Sequence, residues 1–398
     1  MMLVTGCTTF DNFKHTFINK KTKSDKEVIY IGVYEPQSGA FEEQGKNEIK
    51  GIELAHSLYG SVKGMDIELI TVDNQSDTES AKSAIKNLIE MKPSAIIGSV
   101  GEANSLIAGS YIEKAKIPAI APSARNPLIT ENRNFYFRAC ITDPQIGEGL
   151  AEYAYSKLGA KSMGIIRMEN DNSAMAVYDG LEQKLKSADQ ENIIVMDETL
   201  NLHDSNMARV IKRLKKEKPE TVFMPVGIEK ADRIFNRIEK NGLTNITFLG
   251  TREWNSKNFV RMMRKHPDIK VVFPAAITTG KKMTTTSVVT AEAQKFFIEY
   301  TRKYGENDIP TENTILGYDA YLILVNALSR ADNMKDGEAV KEALADIENL
   351  HCATGNVTFD KNGNPMRPVN LSTLKKGEVV SVYTTNENAQ ASELKKIK

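Results

Sequence analysis

Val28-Ile29-Tyr30-Ile31-Gly32-Val33-Tyr34-Glu35-Pro36-Gln37-Ser38-Gly39 is the stretch that decides the fold. Its first seven residues read as a buried strand that stops at a loop of proline and small polar residues. Near-continuous apolar runs of this kind mark parallel strands covered on both faces. A helix is predicted over 40–59, and the strand–loop–helix unit then repeats. Further strands are expected over 66–73, 95–100 and 118–123, with helices over 77–91 and 103–116. Asp77 is an N-cap, and Ala81, Ala84, Ile85, Leu88 and Ile89 recur at helical spacing. The fourth strand ends in Pro122-Ser123-Ala124-Arg125-Asn126-Pro127. Open α/β sheets bind ligands beyond the carboxyl ends of their strands, where helix N-termini present free N–H groups. The sequence therefore presents a ligand-facing edge.

A second run of the same kind starts near Ile146, with strands over 162–168, 192–198, 221–226 and 246–250. Its helices are predicted over 174–187, 205–217 and 230–241, the last stopped by Gly242. A strand over 270–277 and helices over 291–304, 314–331 and 338–347 follow. Short β-segments then flank the turn Lys361-Asn362-Gly363 and continue over 369–383. A chain of 398 residues exceeds what one core supports, so two lobes are expected. The first is expected over 28–142 with 273–350, the second over 143–272 with 351–385, with a mobile tail over 386–398.

Lys+Arg and Asp+Glu both total 52, and this balance argues against a nucleic-acid partner. The basic run Lys212–Lys218 reads as a solvated helix face. The three cysteines form no C-x-x-C and the five histidines are scattered singly, so neither a metal nor a cofactor is expected. No G-x-G-x-x-G follows the first strand, and neither a phosphate loop nor a nucleophile elbow occurs. Asp73 could pass for a ribose-binding acid but stands alone. These absences argue against an enzyme. No apolar run reaches the roughly 18 residues of a membrane span.

Leu3-Val4-Thr5-Gly6-Cys7 has the form of a lipobox, where bacterial lipoproteins are acylated on cysteine. A working signal needs basic and apolar residues ahead of that site, and only Met1–Gly6 precede Cys7. The expectation is a start further upstream, with 8–27 as a polar tether and Cys7 as the lipidated residue. The tether is also too short and too polar for a helix-turn-helix.

The chain resembles the type I periplasmic binding protein family, in its branch that binds branched-chain amino acids. The resemblance runs from Val28 to about Thr384 on an ordered set of motifs. These are Ile31-Gly32-Val33 through Ser38-Gly39 and Gly45, Gly51-Ile52-Glu53-Leu54-Ala55, and Ala95-Ile96-Ile97-Gly98. Ile117–Ala124, Leu249-Gly250-Thr251 before Trp254, Gly317-Tyr318-Asp319-Ala320, and Gly355–Asp360 with Gly363 complete the set. It implies two Rossmann-like α/β lobes joined by a three-crossing hinge, with crossings near Thr142, Phe273 and Leu350. It further implies a monomer that closes on one small polar solute, an amino acid or related metabolite. That solute would pass to the permease and ATPase subunits of an ABC importer. The protein would then be extracytoplasmic and tied to the membrane only through a lipid on Cys7. An alternative within the same fold is a lipoprotein that regulates a cell-wall synthase or serves as a ligand sensor.

The resemblance also marks ligand-binding positions. Ser38 and Gln44 flank the first cleft loop, and Ser38 equally reads as a turn residue. Gly101 and Glu102 follow the third strand, with Glu102 where a hydroxyl residue is usual. Ser123 and Arg125 follow the fourth, with Arg125 where Thr or Ser is common. Arg125 either binds a ligand carboxylate or neutralises Glu102. In the second lobe Asn172 and Gly227 take positions where the family often carries tyrosine. Arg252-Glu253 falls where an acid pairs the ligand ammonium, and Glu253 suits that chemistry better. Trp254 either lines the cleft or packs within its lobe. Cys140 and Cys352 lie near expected crossings, where a disulfide would restrain the hinge and independent buried thiols would not.

Overall fold

The computed structural model describes residues 27–169, 171–201, 203, 206–275 and 290–385. Cys7, the tether before residue 27 and the tail 386–398 lie outside the described residues. The first lobe opens with β1 (Val28–Glu35), α1 (Glu42–Leu58), β2 (Ser61–Val62), β3 (Met65–Asp73) and α2 (Thr78–Glu90). It continues with β4 (Ala95–Ile97), α3 (Glu102–Ala115), β5 (Ala119–Ala121) and β6 (Tyr136–Arg138). The sheet order is β2-β3-β1-β4-β5-β6, parallel except for the β2–β3 pair. Asp77 caps α2 by accepting from Glu79 N and Ser80 N, as the sequence indicates. Strands β4 and β5 stop after three residues, because the chain turns out of the sheet once its apolar run ends.

The second lobe begins with α4 (Asp143–Glu152), which the periodicity does not reveal. Its start was nonetheless written in Thr142-Asp143-Pro144-Gln145, a capping box with proline in the first turn. The chain runs through β7 (Met163–Met168), α5 (Asn172–Ser187), β8 (Ile194–Leu200), α6 (Met207–Glu217) and β9 (Thr221–Phe223). Then come α7 (Ile228–Lys240), β10 (Thr247–Leu249), α8 (Lys257–Met263) and β11 (Lys270–Pro274). Helices α9 (Ala291–Tyr304), α10 (Glu312–Arg330) and α11 (Gly337–Ala345) return to the first lobe with the ribbon β12 (Leu350–Cys352) and β13 (Gly355–Val357). The final strands, β14 (Asn370–Lys375) and β15 (Glu378–Thr384), add antiparallel to β11. The second sheet is ordered β15-β14-β11-β10-β9-β7-β8.

Two expected boundaries move. Cys352, Val357 and Phe359 are buried in the same core as Ile29, Ile31 and Leu324. Phe359 meets Phe137 edge-on at 5.2 Å. The ribbon thus covers the first sheet, and the last passage between lobes follows Phe359 rather than lying near Leu350. Likewise β11 stays paired between β10 and β14, so Phe273 lies inside the second sheet rather than at a crossing, and residues 276–289 lie outside the described residues. Thr290, the next described residue, donates from Oγ1 to Cys352 O at 3.0 Å. The considered disulfide is absent: Cys140 and Cys352 are free buried thiols. Cys140 Sγ instead donates to Ala124 O at 3.3 Å.

Each lobe contains one helix pair in backbone contact. A Cβ on Gly51 of α1 would stand 1.8 Å from Thr314 O of α10, and one on Gly317 of α10 would stand 2.3 Å from Glu48 O. In the second lobe a Cβ on Gly147 of α4 would meet Val177 O at 1.8 Å, and one on Gly180 of α5 would meet Pro144 O at 2.0 Å. These four glycines therefore permit the close approach within each pair. No helix among the described residues is long and apolar enough to cross a membrane.

Candidate functional site

At the carboxyl edge of the first sheet, β1 ends in Glu35 and the second turn of α1 points Glu48 inward; both are fully buried. Glu35 Oε2 accepts from Val100 N at 2.7 Å and from Ser99 Oγ at 3.4 Å. Glu48 Oε1 accepts from Ser123 Oγ and from Asn313 Nδ2, the latter at 2.8 Å. The two carboxyl groups are close enough for each to shift the other's titration. Each keeps one oxygen, Glu35 Oε1 and Glu48 Oε2, with no further partner. Two neighbouring buried carboxyls favour a state in which one carries a proton. Burial, then the charge of Glu48, pushes the Glu35 carboxyl well above the usual range. Burial pushes Glu48 up to about 7.

Ser38 is held in its turn by Asp73: its hydroxyl donates to Asp73 Oδ2 at 2.7 Å, beside Gln37 N at 2.8 Å. Gln44 lies on the exposed face of α1. Gly101 caps α3 with φ of 86°, and a Cβ there would sit 3.3 Å from the Phe41 ring. Glu102, in the first turn of α3, accepts from Asn126 Nδ2 at 3.3 Å. Burial and the neighbouring Asp143 charge raise its carboxyl.

Arg125 does not pair with Glu102. Its guanidinium forms a buried ion pair with Glu312, at the first turn of α10, and donates to Ile141 O at 2.7 Å. Its Nε has no hydrogen-bond partner. Beneath this loop the buried Arg138 donates to Ala124 O at 3.1 Å, Asn126 O at 2.9 Å and Thr130 Oγ1 at 3.1 Å. Burial pulls that guanidinium below its ordinary range. Arg138 thereby fixes the loop that carries Ser123 and Arg125.

From the second lobe, Arg252 opens a short 3₁₀ turn after β10 and is exposed. Among the described residues its guanidinium has no hydrogen bond and no ion pair, yet its charge is felt by Glu48 and Glu102 across the cleft. Glu253 is also exposed, and its Oε2 lies 3.6 Å from where a Cβ on Gly227 would stand, at the N-terminus of α7. Asn172 opens α5; its side chain lies outside the described residues.

Trp254 packs within its lobe. It is fully buried, stacks on Phe259 at 4.7 Å and donates from Nε1 to Val226 O at 2.9 Å. As the sole tryptophan, it is expected to emit as a buried indole, resist iodide quenching and shift to the red on unfolding. Strong quenching of the native protein would contradict this packing.

A cavity of about 470 Å³, counting the solvent in its mouth, lies where the lobes meet. Arg125, Glu312 and Leu316 line it from the first lobe, and Ile146, Arg252 and Pro274 from the second. Arg367, on the last passage, lines it too, and ion-pairs with the buried Asp319 at 3.8 Å. The structure thus brings Arg125 and Arg252 to one cavity and leaves Ser38, Gln44 and Glu253 out of its lining. Sequence reasoning missed Glu35, Glu48, Glu312 and Arg367. The legible signals were a charge ending an apolar strand and a charge, Glu48, on the inward stripe of α1 with Gly45, Ile52 and Ala55.

A family model described as periplasmic binding protein matches residues 28–378. The Leu/Ile/Val-binding protein BraC3 of Rhizobium johnstonii is 22% identical over 343 residues, 84% of this chain and 88% of that protein. An amino acid binding protein of Pseudomonas aeruginosa is 23% identical over 221 residues, 54% of this chain, and the match spans 58% of that relative's length. Among solved structures, the leucine binding protein LivK of Thermotoga maritima aligns with a TM-score of 0.72 at 24% identity, covering 91% of this chain and 99% of that one. LivJ of Streptococcus pneumoniae, a branched-chain amino acid transporter substrate binding protein solved with isoleucine, aligns at 0.71 and 25% identity, covering 89% and 99%. A match over this much of the chain, on the fold just described, makes this protein a member of the periplasmic binding protein family in its type I architecture.

Proposed function

We propose that the protein is the extracytoplasmic solute-binding component of an ABC importer. It holds a small polar metabolite between the lobes and closes on it through the three passages. The observation that carries this reading is the convergence of Arg125 with Glu312 from one lobe and Arg252 from the other on a single cavity. A group touched by both lobes only when they are together shifts the population toward the closed form. The amino acid binding relatives support a solute of amino-acid size. Family membership supports a binder rather than an enzyme and a place outside the cytoplasm. A lipid on Cys7, which would keep the binder beside its permease, belongs to the same proposal.

Calorimetry against a panel of amino acids, amines, carboxylates and neutral polar metabolites tests it, paired with small-angle scattering. One panel member is expected to bind saturably and to reduce the radius of gyration. A panel without a binder, together with recovery of a cell-wall synthase from membranes on the immobilised protein, would favour the regulatory lipoprotein instead.

A further inference from the structure

The charge around the cavity is out of balance. Three guanidinium groups, Arg125, Arg252 and Arg367, face it against a single carboxylate, Glu312. Glu312 is spent on Arg125, and Arg367 is paired with Asp319 behind the wall. Arg252 remains as one uncompensated cation. A second observation points the same way: Arg125 is 3% exposed, and its Nε is a buried donor with nothing to donate to. A buried unsatisfied donor is costly and calls for an acceptor. The rest of the lining is mostly apolar, Ile141, Ile146, Pro274, Ala275, Leu316 and Pro368 with Cys140, and adds only the neutral polar Thr354 and Asn370. No carboxylate of the lining is left to pair a ligand ammonium. Glu253 stands beside Gly227 at the head of α7, outside the lining.

We propose that this cavity takes the carboxylate head of a small organic monoanion with a short apolar body, Arg252 supplying the matching charge and Arg125 Nε a directional donor. The inference rests on the solute-binding reading and narrows its ligand class from zwitterions to anions. Arg252 reaches the head from the second lobe and Arg125 from the first, so the anion itself ties the lobes together. A zwitterion would bring an ammonium for which the lining has no free acid, and would lose affinity to its desolvation.

The test compares three ligands on one carbon skeleton by calorimetry: isocaproate, leucine and isoamylamine. Isocaproate is expected to bind at least about tenfold more tightly than leucine, and isoamylamine not to bind. Arg252→Gln is expected to weaken isocaproate roughly 10- to 100-fold, the range for a hydrogen-bonded charge. Because Arg252 is exposed, this variant keeps the fold, which unchanged Trp254 emission would verify. Binding of leucine, amines or neutral panel members in preference to isocaproate, or an unaltered affinity in Arg252→Gln, overturns the inference and leaves the solute-binding reading standing. If no member of the panel binds, that reading fails and the inference with it.

Discussion

Glu35→Gln is expected to remove an alkaline loss of stability that the native protein shows. Both carboxyls of the buried pair have folded-state values above the 4.5 of an exposed glutamate, Glu48 at about 7 and Glu35 well above 4.5. The folded protein therefore holds protons that the unfolded chain has released. Stability from the pair is fully present below pH of about 4.5 and falls as pH rises through about 7 and beyond. A glutamine at 35 keeps an acceptor for Val100 N and offers a permanent donor to Glu48, so it imitates the protonated acid. Urea midpoints for both proteins should nearly coincide at low pH. At the alkaline end the variant should be more stable by about 1–3 kcal/mol. Parallel curves across the whole range would show that the pair shares no proton.

Gly51→Ala is expected to be among the most damaging single-methyl changes at the described residues. The new Cβ would sit 1.8 Å from Thr314 O, and a backbone carbonyl in a helix cannot turn aside as a side chain can. Helices α1 and α10 would have to part, opening the core that holds Ile52, Tyr318 and Leu324. Overpacking costs about 1–3 kcal/mol where side chains can give way, so a loss of about 3 kcal/mol or more is expected here. Glu43→Ala, on the exposed face of the same helix, should change stability by no more than about 0.5 kcal/mol. Thermal and urea unfolding of both variants decide the point; a silent Gly51→Ala would mean that the helices do not approach as described.

The fold was legible because its signals are local. Apolar runs such as Ala95-Ile96-Ile97, the Asp77 cap and the Gly242 stop each act within one element. Helix α4 was harder, since its mixed apolar and glycine pattern lacks a clean stripe, and only its capping box announced it. The last passage was misplaced because a three-residue ribbon carries no preference for either sheet; burial of Cys352 and Phe359 decides it. The site was less legible still. Arg125 stands out in the sequence, but its partner Glu312 lies 187 residues away and no spacing rule joins them. The choice between Arg252 and Glu253 turned on chemistry in the sequence, whereas the turn after β10 gives the cavity the arginine.

The four glycine contacts have a mechanical consequence. Where main chains touch directly, there is no side-chain layer to glide upon, and the sliding that many enzymes use to flex is blocked inside either half. In the proposed closure each half would travel as a solid block. Compliance would then fall to the connections between the halves, so the reach and speed of any gape would be governed by a few dihedral angles there, independently of how firmly the blocks themselves are built.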